Sequence, residues 1–318
     1  MDRPVALVAG ASRGLGLLIA RKLLDREYAV AICARDRTEL DAAVELLAGH
    51  GPPAPVTGHA CDVASRDEVA ELVSRVEREL GPIEVLISVA GVIRVGPAES
   101  MTLEHFDEAI GTMLRGPVQL AWEVLPGMRQ RGRGRIGTIA SIGGTLAPPH
   151  LLPYATAKFG AVGFSEGLSA ELAGSGVTAT TVIPGLMRTG SHERATFTGD
   201  HGAEYAWFAP SASLPLLSMN AERAAAKIVD GVLGGRRHVV LTPLAKVGMR
   251  VHGLAPSSTV AMLGLVGRLL PAAPDPPRTP TLVGHQAQRV LDSRAVRALT
   301  VLGSRAARRN NERSGRSG

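Results

Sequence analysis

Aromatic residues make up only 3% of this 318-residue chain, and cysteine occurs twice, at Cys33 and Cys61. Two cysteines in apolar surroundings, outside any metal-ligand spacing, exclude a disulfide framework and fit a reduced, cytoplasmic setting. The histidines show no paired spacing for a metal, and His59, His150 and His192 read as loop or surface residues. No apolar run reaches the ~20 residues of a membrane-spanning helix. The longest near the C-terminal side, "STVAMLGLVG" at 258–267, is fenced by Pro256 and Arg268. The first residues lack the small-residue cleavage site of a secretory signal. Charge of one sign is also confined: from Gln286 onward eight arginines face only Asp292 and Glu312, which accounts for the net charge of +6. That tail has no interleaved aromatics and no recognised module, so nucleic-acid binding is not expected.

Short apolar runs alternating with helical stripes are abundant instead. "PVALVAG", "AVAICA", "PVTGHACD", "EVLISVAG", "GRIGTIAS" and "GVTATTVIPG" read as strands, with "RHVVLT" as one more. Between them, Leu40, Val44 and Leu47 mark one helical face, and Val69, Leu72, Val73, Val76 and Leu80 another. Fully apolar strands separated by helices predict a doubly wound α/β fold, a parallel Rossmann-type sheet of about seven strands covered on both faces. This unit is expected over residues 1–242. An apolar helical extension at 243–270 and a proline-rich linker with an arginine-rich tail at 271–318 should follow. The tail is expected to be flexible, or to form a short helix striped by Leu291, Ala295, Ala298 and Leu302.

"AGASRGLG" closes the first strand and opens the first helix. Gly10, Gly14 and Gly16 let the backbone turn sharply and bring a helix N-terminus against a phosphate, whose charge the unpaired amides and the helix dipole hold. No Gly-Lys-Ser/Thr follows, so a P-loop is excluded. The second strand ends at Ala34 and Arg35, not at the acidic residue that would take the ribose hydroxyls of NAD. With Arg13 in the glycine loop, this favours the 2′-phosphate of NADP(H) over NAD(H).

"YATAK" places Tyr154 and Lys158 one helical turn apart, on one face. With the motifs around it, the chain resembles a short-chain dehydrogenase/reductase from residue 4 to about 241. The landmarks fall in family order: the glycine loop with Ser12 and Leu15, "CDV" at 61–63, "SVAG" at 88–91, Ser141 thirteen residues before Tyr154, and "IPGLMRT" at 183–189. The resemblance implies an oxidoreductase that moves hydride between a nicotinamide and a carbonyl or alcohol. Ser141, Tyr154 and Lys158 would be catalytic. Asp62 and Val63 would hold the adenine, Ala90 and Gly91 would line the cofactor groove, and Pro184, Gly185 and Thr189 would lie at the nicotinamide. It also implies a homodimer built on the helices around 103–131 and 153–174. A phenol ionises near pH 10, and a lysine cation one turn away should lower that value enough for proton transfer.

Several features depart from the family pattern. Met113 stands where an asparagine usually completes a proton path from the lysine, and Ser88 and Val89 replace two further asparagines. An alternative reading is therefore a dinucleotide-binding scaffold with weak or no turnover. The segment after Thr189 carries Phe197, Tyr205, Trp207 and Phe208. Either it covers a bulky, apolar carbonyl substrate or these rings pin it to the domain. The extension beyond 243 could contact a membrane surface peripherally, pack on a partner subunit, or hang free. "GFSEG" at 163–167 matches a serine-hydrolase pattern, but Ser165 falls within a helix instead of on a strand-to-helix turn.

Overall fold

The computed structural model describes residues 3–51, 54–213 and 218–312. Seven strands form the central sheet: β1 (Val5–Ala9), β2 (Ala29–Ala34), β3 (Val56–Ala60), β4 (Ile83–Ser88), β6 (Gly134–Ile139), β7 (Val177–Ile183) and β11 (His238–Val240). Between β4 and β6 lies the two-residue strand β5 (Arg94–Val95). The connecting helices are α1 (Gly14–Leu24), α2 (Arg37–Ala48), α3 (Arg66–Leu80), α4 (Leu103–Ile110), α5 (Gly116–Gln130) and α6 (Leu152–Glu171). The sheet order is β11-β7-β6-β4-β1-β2-β3, with every pairing parallel. This is the predicted doubly wound sheet, with β1 and β4 adjacent at its centre.

Helices seal both faces because the strands are apolar on both. Ala6, Val8, Val30 and Ile32 pack with α1 on one face, whereas Leu7, Ala31, Ile83 and Leu86 pack toward α3 and α5 on the other. Full burial of each branched side chain contributes about 1.5–3 kcal/mol. Ser165 lies in α6 and accepts from Thr181 Oγ1 at 2.9 Å, which fixes helix to strand as the sequence suggested. Two histidines correct the expectation of surface positions. His59 is buried on β3, and His192 is fully buried.

After β7 the chain forms β8 (Met187–Arg188), α7 (Ser191–Arg194), β9 (Thr196–Phe197), α8 (His201–Ser213), β10 (Met219–Asn220) and α9 (Ala221–Leu233). Beyond β11 come α10 (Pro243–Leu254) and α11 (Pro256–Gly267), the expected apolar helical extension. Then follow β12 (Leu282–Val283), α12 (Gly284–Leu291) and α13 (Arg294–Arg309). Residues 271–312 thus differ from the expected flexible linker and tail. The proline-rich segment is tied down by Gly199 N–H on Arg278 O and by His201 on Pro280 O, and β12 pairs antiparallel with β9. Helix α13 forms, but its buried face is Thr300, Gly303, Ala306 and Ala307, with Leu302 outward. Close approach decides this: a Cβ on Gly303 would meet His192 and Ser213.

Candidate active site

Ser141, Tyr154 and Lys158 converge at the C-terminal edge of the sheet. Ser141 follows β6 and caps the short 3-10 turn Ile142–Gly144, where its hydroxyl accepts from Gly143 N–H at 3.0 Å. The same turn is tied to the Pro-Gly loop by Ile142 N–H on Pro184 O at 2.8 Å. Tyr154, in the first turn of α6, lies beside Ser141: a Cβ on Gly143 would meet both the Tyr154 ring and the Ser141 hydroxyl. Lys158 is buried, and its ammonium donates to Ile139 O at 2.6 Å, standing 5.9 Å from the centroid of the Tyr154 ring.

The electrostatics correct one expectation. Burial pushes the Tyr154 phenol above its ordinary value, and the neighbouring Ser141 side chain only partly offsets it. Burial also pulls Lys158 down to about 8. Lysine was expected to lower the phenol. Here the ammonium turns to a backbone carbonyl and both groups are desolvated, so desolvation prevails over their mutual attraction.

Met113 lies in a single π-helical turn, Gly111–Arg115, between α4 and α5. Its side chain is buried with Ala109, Ala157 and Tyr154, and its sulfur would touch a Cβ on Gly91 at 3.4 Å. A thioether thus fills the place beneath Tyr154 where an amide was looked for. The π turn, a frequent feature of functional sites, was not foreseen.

At the other end of the groove the glycines behave as predicted. Gly10 (φ +84°) and Gly14 (φ +57°) adopt backbone that side chains rarely tolerate. Cβ atoms on Gly10 and Gly16 would strike Ala90 and Ala11 respectively. Ser12 and Leu15 are buried behind the turn. Ala90, bonded to Ala9 O at 3.0 Å, and the exposed Gly91 adjoin it. Asp62 accepts from Ala64 N–H at 3.0 Å, and Val63 is buried with its carbonyl held by Gln119. Gly185 packs on Thr242, and Thr189 Oγ1 accepts from Ser191 N–H at 3.3 Å. These residues line one continuous edge of the sheet and fit a dinucleotide. The tight glycine turn and the α1 N-terminus form the cradle that a diphosphate requires.

Glu39, Asn311 and Glu312 on this edge escaped the sequence reading. Glu39, at the start of α2, is buried and pairs with both Arg13 and Arg194. Arg35 is exposed at the tip of β2, whereas Arg13 shares its charge with Glu39. Asn311 Nδ2 donates to Ser12 O at 2.8 Å, and Glu312 is buried against the glycine loop. Only Glu39 had a local signal, an acid in the first turn of a helix beside two arginines.

The aromatics after Thr189 pack on one another: Phe197 on Tyr205 and Phe208, and Trp207 on Phe208, with ring centroids 5.5–5.9 Å apart. Glu204, fully buried, joins His150 Nδ1 at 2.8 Å and Trp207 Nε1 at 2.7 Å. These rings form the core of the segment itself. Among the described residues no His, Cys, Asp or Glu cluster could hold a metal, and no helix is long and apolar enough to cross a membrane.

Comparison with known proteins agrees with this geometry. A putative ketoacyl reductase of Streptomyces coelicolor is 39% identical over 190 residues, covering 59% of this chain and 72% of that protein. An acetoacetyl-CoA reductase of Rhizobium meliloti is 36% identical over 185 residues, 58% of this chain and 74% of that protein. Among solved structures, an actinorhodin polyketide ketoreductase variant with NADPH superposes with a TM-score of 0.68 at 31% identity, covering 77% of this chain and 97% of its own. The short chain dehydrogenase family matches residues 4–197. The chain therefore belongs to the short-chain dehydrogenase/reductase family, whose members are nicotinamide-dependent oxidoreductases acting on small molecules.

Proposed function

We propose that this protein is an NADPH-dependent ketoreductase acting on a bulky, largely apolar carbonyl compound of the 3-ketoacyl or polyketide type. The observation that carries the reading is the convergence of Ser141 and Tyr154 beside a buried Lys158. A bound nicotinamide supplies the hydride. Tyr154 gives its phenolic proton to the carbonyl oxygen, and Ser141 donates a hydrogen bond to the same oxygen and stabilises its developing charge. Lys158 holds the nicotinamide ribose. Gly10, Ser12, Gly14, Leu15 and Gly16 hold the diphosphate, Arg13 and Arg35 the 2′-phosphate, and Asp62 and Val63 the adenine. Ala90, Gly91, Pro184, Gly185 and Thr189 complete the groove.

The reductase relatives speak for catalysis over the scaffold alternative that Met113 raised. The NADPH bound to the actinorhodin relative and the exposed Arg35 support NADP(H). Following NADPH and NADH oxidation with 3-ketoacyl thioesters and bulky cyclic ketones tests the reading. Turnover with NADPH and at least one ketone is expected, and none with any ketone at saturating cofactor overturns it.

Two assembly features belong to the same reading. A homodimer on α4, α5 and α6 fits the exposed Leu103, Trp122 and Phe159, and light scattering at the dimer mass checks it. A peripheral membrane contact fits α10–α11, where Leu244, Val247, Val251, Leu254, Leu265 and Leu269 are exposed. No acidic residue occurs between Asp230 and Asp275, so Lys246, Arg250 and Arg268 face anionic lipid unopposed. Sedimentation with anionic vesicles should fall on Leu254→Glu and Leu269→Glu substitution. No sedimentation of the unaltered protein removes the idea.

A further inference from the structure

The edge assigned to the cofactor diphosphate is also where residues 310–312 lie. Gly14 N–H, at the start of α1, donates to Asn310 O at 2.8 Å. Asn311 Nδ2 donates to Ser12 O at 2.8 Å and to Glu39 O at 3.2 Å. The Glu312 carboxylate stands between the glycine loop and the segment after Thr189. A Cβ on Gly14 would meet one of its oxygens, and a Cβ on Gly190 the other. Arg194 Nε donates to the Glu312 backbone carbonyl at 2.8 Å, while Glu312 Oε2, the oxygen facing Gly190, is buried without a hydrogen-bond partner among the described residues. Glu312 is 6% exposed.

The residues before it are anchored well away from the groove. Helix α13 packs on α7 and α8 through Gly303, which lies against His192 and Ser213, and through Ala307, which lies against Gly190. Asn310–Glu312 therefore reaches the glycine loop from a fixed base. It offers there part of what a diphosphate would offer, acceptor oxygens at a helix N-terminus.

We propose that Asn310–Glu312 is an autoinhibitory plug that occupies the diphosphate cradle and must withdraw before a dinucleotide binds. The proposal rests on the cofactor reading given above. Because the plug is tethered, it competes at a fixed high effective concentration, and observed cofactor affinity falls by the fraction of molecules in which it has withdrawn. The plug also bridges the segment after Thr189 to the glycine loop, since Arg194 Nε holds the Glu312 carbonyl while Gly14 N–H holds that of Asn310.

Desolvation raises the Glu312 carboxyl to about 8. The charged groups facing it are Arg13 and Arg194, which oppose the rise, and Glu193, which adds to it; Glu39 sits behind both arginines.

The test is NADPH binding by calorimetry to the full chain and to a variant shortened to residue 309, which retains α13. A plug docked nine-tenths of the time makes the shortened variant bind about 10-fold tighter. In the full chain, saturating NADPH should speed amide hydrogen exchange at residues 310–312. Equal affinity of the two proteins, with unchanged exchange at 310–312, overturns the plug and leaves the cofactor reading intact. If neither protein binds NADPH or NADH while both melt cooperatively, the cofactor reading fails and takes the plug with it.

Discussion

The two ends of the cofactor groove each bury one ionisable side chain, and burial drives both toward the same pH from opposite sides. Lys158 falls to about 8 at the reacting end, and Glu312 rises to about 8 at the glycine loop. Their settings differ. Lys158 sits four residues from Tyr154 on one rigid helix, held by a carbonyl of the adjacent strand. Glu312 arrives from almost 300 residues beyond the loop it touches, at the edge of a helix that packs through small side chains. A buried charge on the sheet edge belongs to a preorganised site, where its cost is retained because chemistry needs it. A buried ionisable group on a docked segment makes that docking sensitive to pH.

The largest effects should come from the reacting end. Tyr154→Phe is expected to lower kcat by about 100-fold or more, the range of a lost general acid, while calorimetry shows NADPH affinity unchanged. Lys158→Met should cost turnover comparably yet raise thermal stability by about 1 kcal/mol, because an apolar group replaces a desolvated cation. Linkage fixes the sign: the folded pKa lies below the unfolded one, so stability of the unaltered protein should climb as pH rises from about 8 toward 10.5. A flat stability profile over that interval would show that Lys158 is not buried.

Next comes the adenosine corner. Arg35→Ala removes the one arginine there that Glu39 does not engage. NADPH should bind about 10-fold more weakly, the order of one charge-assisted hydrogen bond, with NADH unaffected. Equal losses for both cofactors would sink the assignment of Arg35 to the 2′-phosphate.

These contrasts follow how much was legible beforehand. The sheet and the sharp turn at Gly10 and Gly14 were readable because each depends on local periodicity or on fixed spacing within one or two elements. The direction of the Tyr154 shift was not, since it depends on how deeply two side chains are buried together and on a carbonyl at Ile139. The docking of α13 escaped for a different reason. Its contact face is built of Thr300, Gly303 and Ala307, small residues that carry no apolar stripe, and its partners His192 and Ser213 lie about 100 residues away. The aromatic segment after Thr189 was recognised as unusual, but composition could not say that Phe197, Tyr205 and Phe208 would face one another.

A smaller effect distinguishes the plug from a static contact. Glu312 has a raised pKa when docked, so docking is strongest below its ordinary value of 4.5 and weakens as pH rises from there to about 8. The ratio of NADPH dissociation constants between the full chain and the variant shortened to residue 309 should therefore shrink several-fold from pH 5 to pH 8. Taking the ratio cancels the titration of the cofactor itself. Glu312→Gln should hold the ratio constant across that range, and a slope that persists in this variant would assign the pH dependence to another group.

The smallest expected change returns to the reacting end. Met113 is buried against Tyr154 and Ala157 inside the π-helical turn, so no side-chain amide there can pass a proton between Lys158 and solvent. If the proton must take a longer route, Met113→Asn should raise kcat only a few-fold, because general acid–base steps respond weakly once the acid itself is in place. The same substitution buries an amide among apolar neighbours and should cost roughly 1–3 kcal/mol of stability. Rate and stability would then move in opposite directions, as they do for Lys158→Met with the signs exchanged. An unchanged kcat with the stability loss alone would mean that the thioether position lies off the proton path, and that Tyr154 is recharged from the Ser141 side.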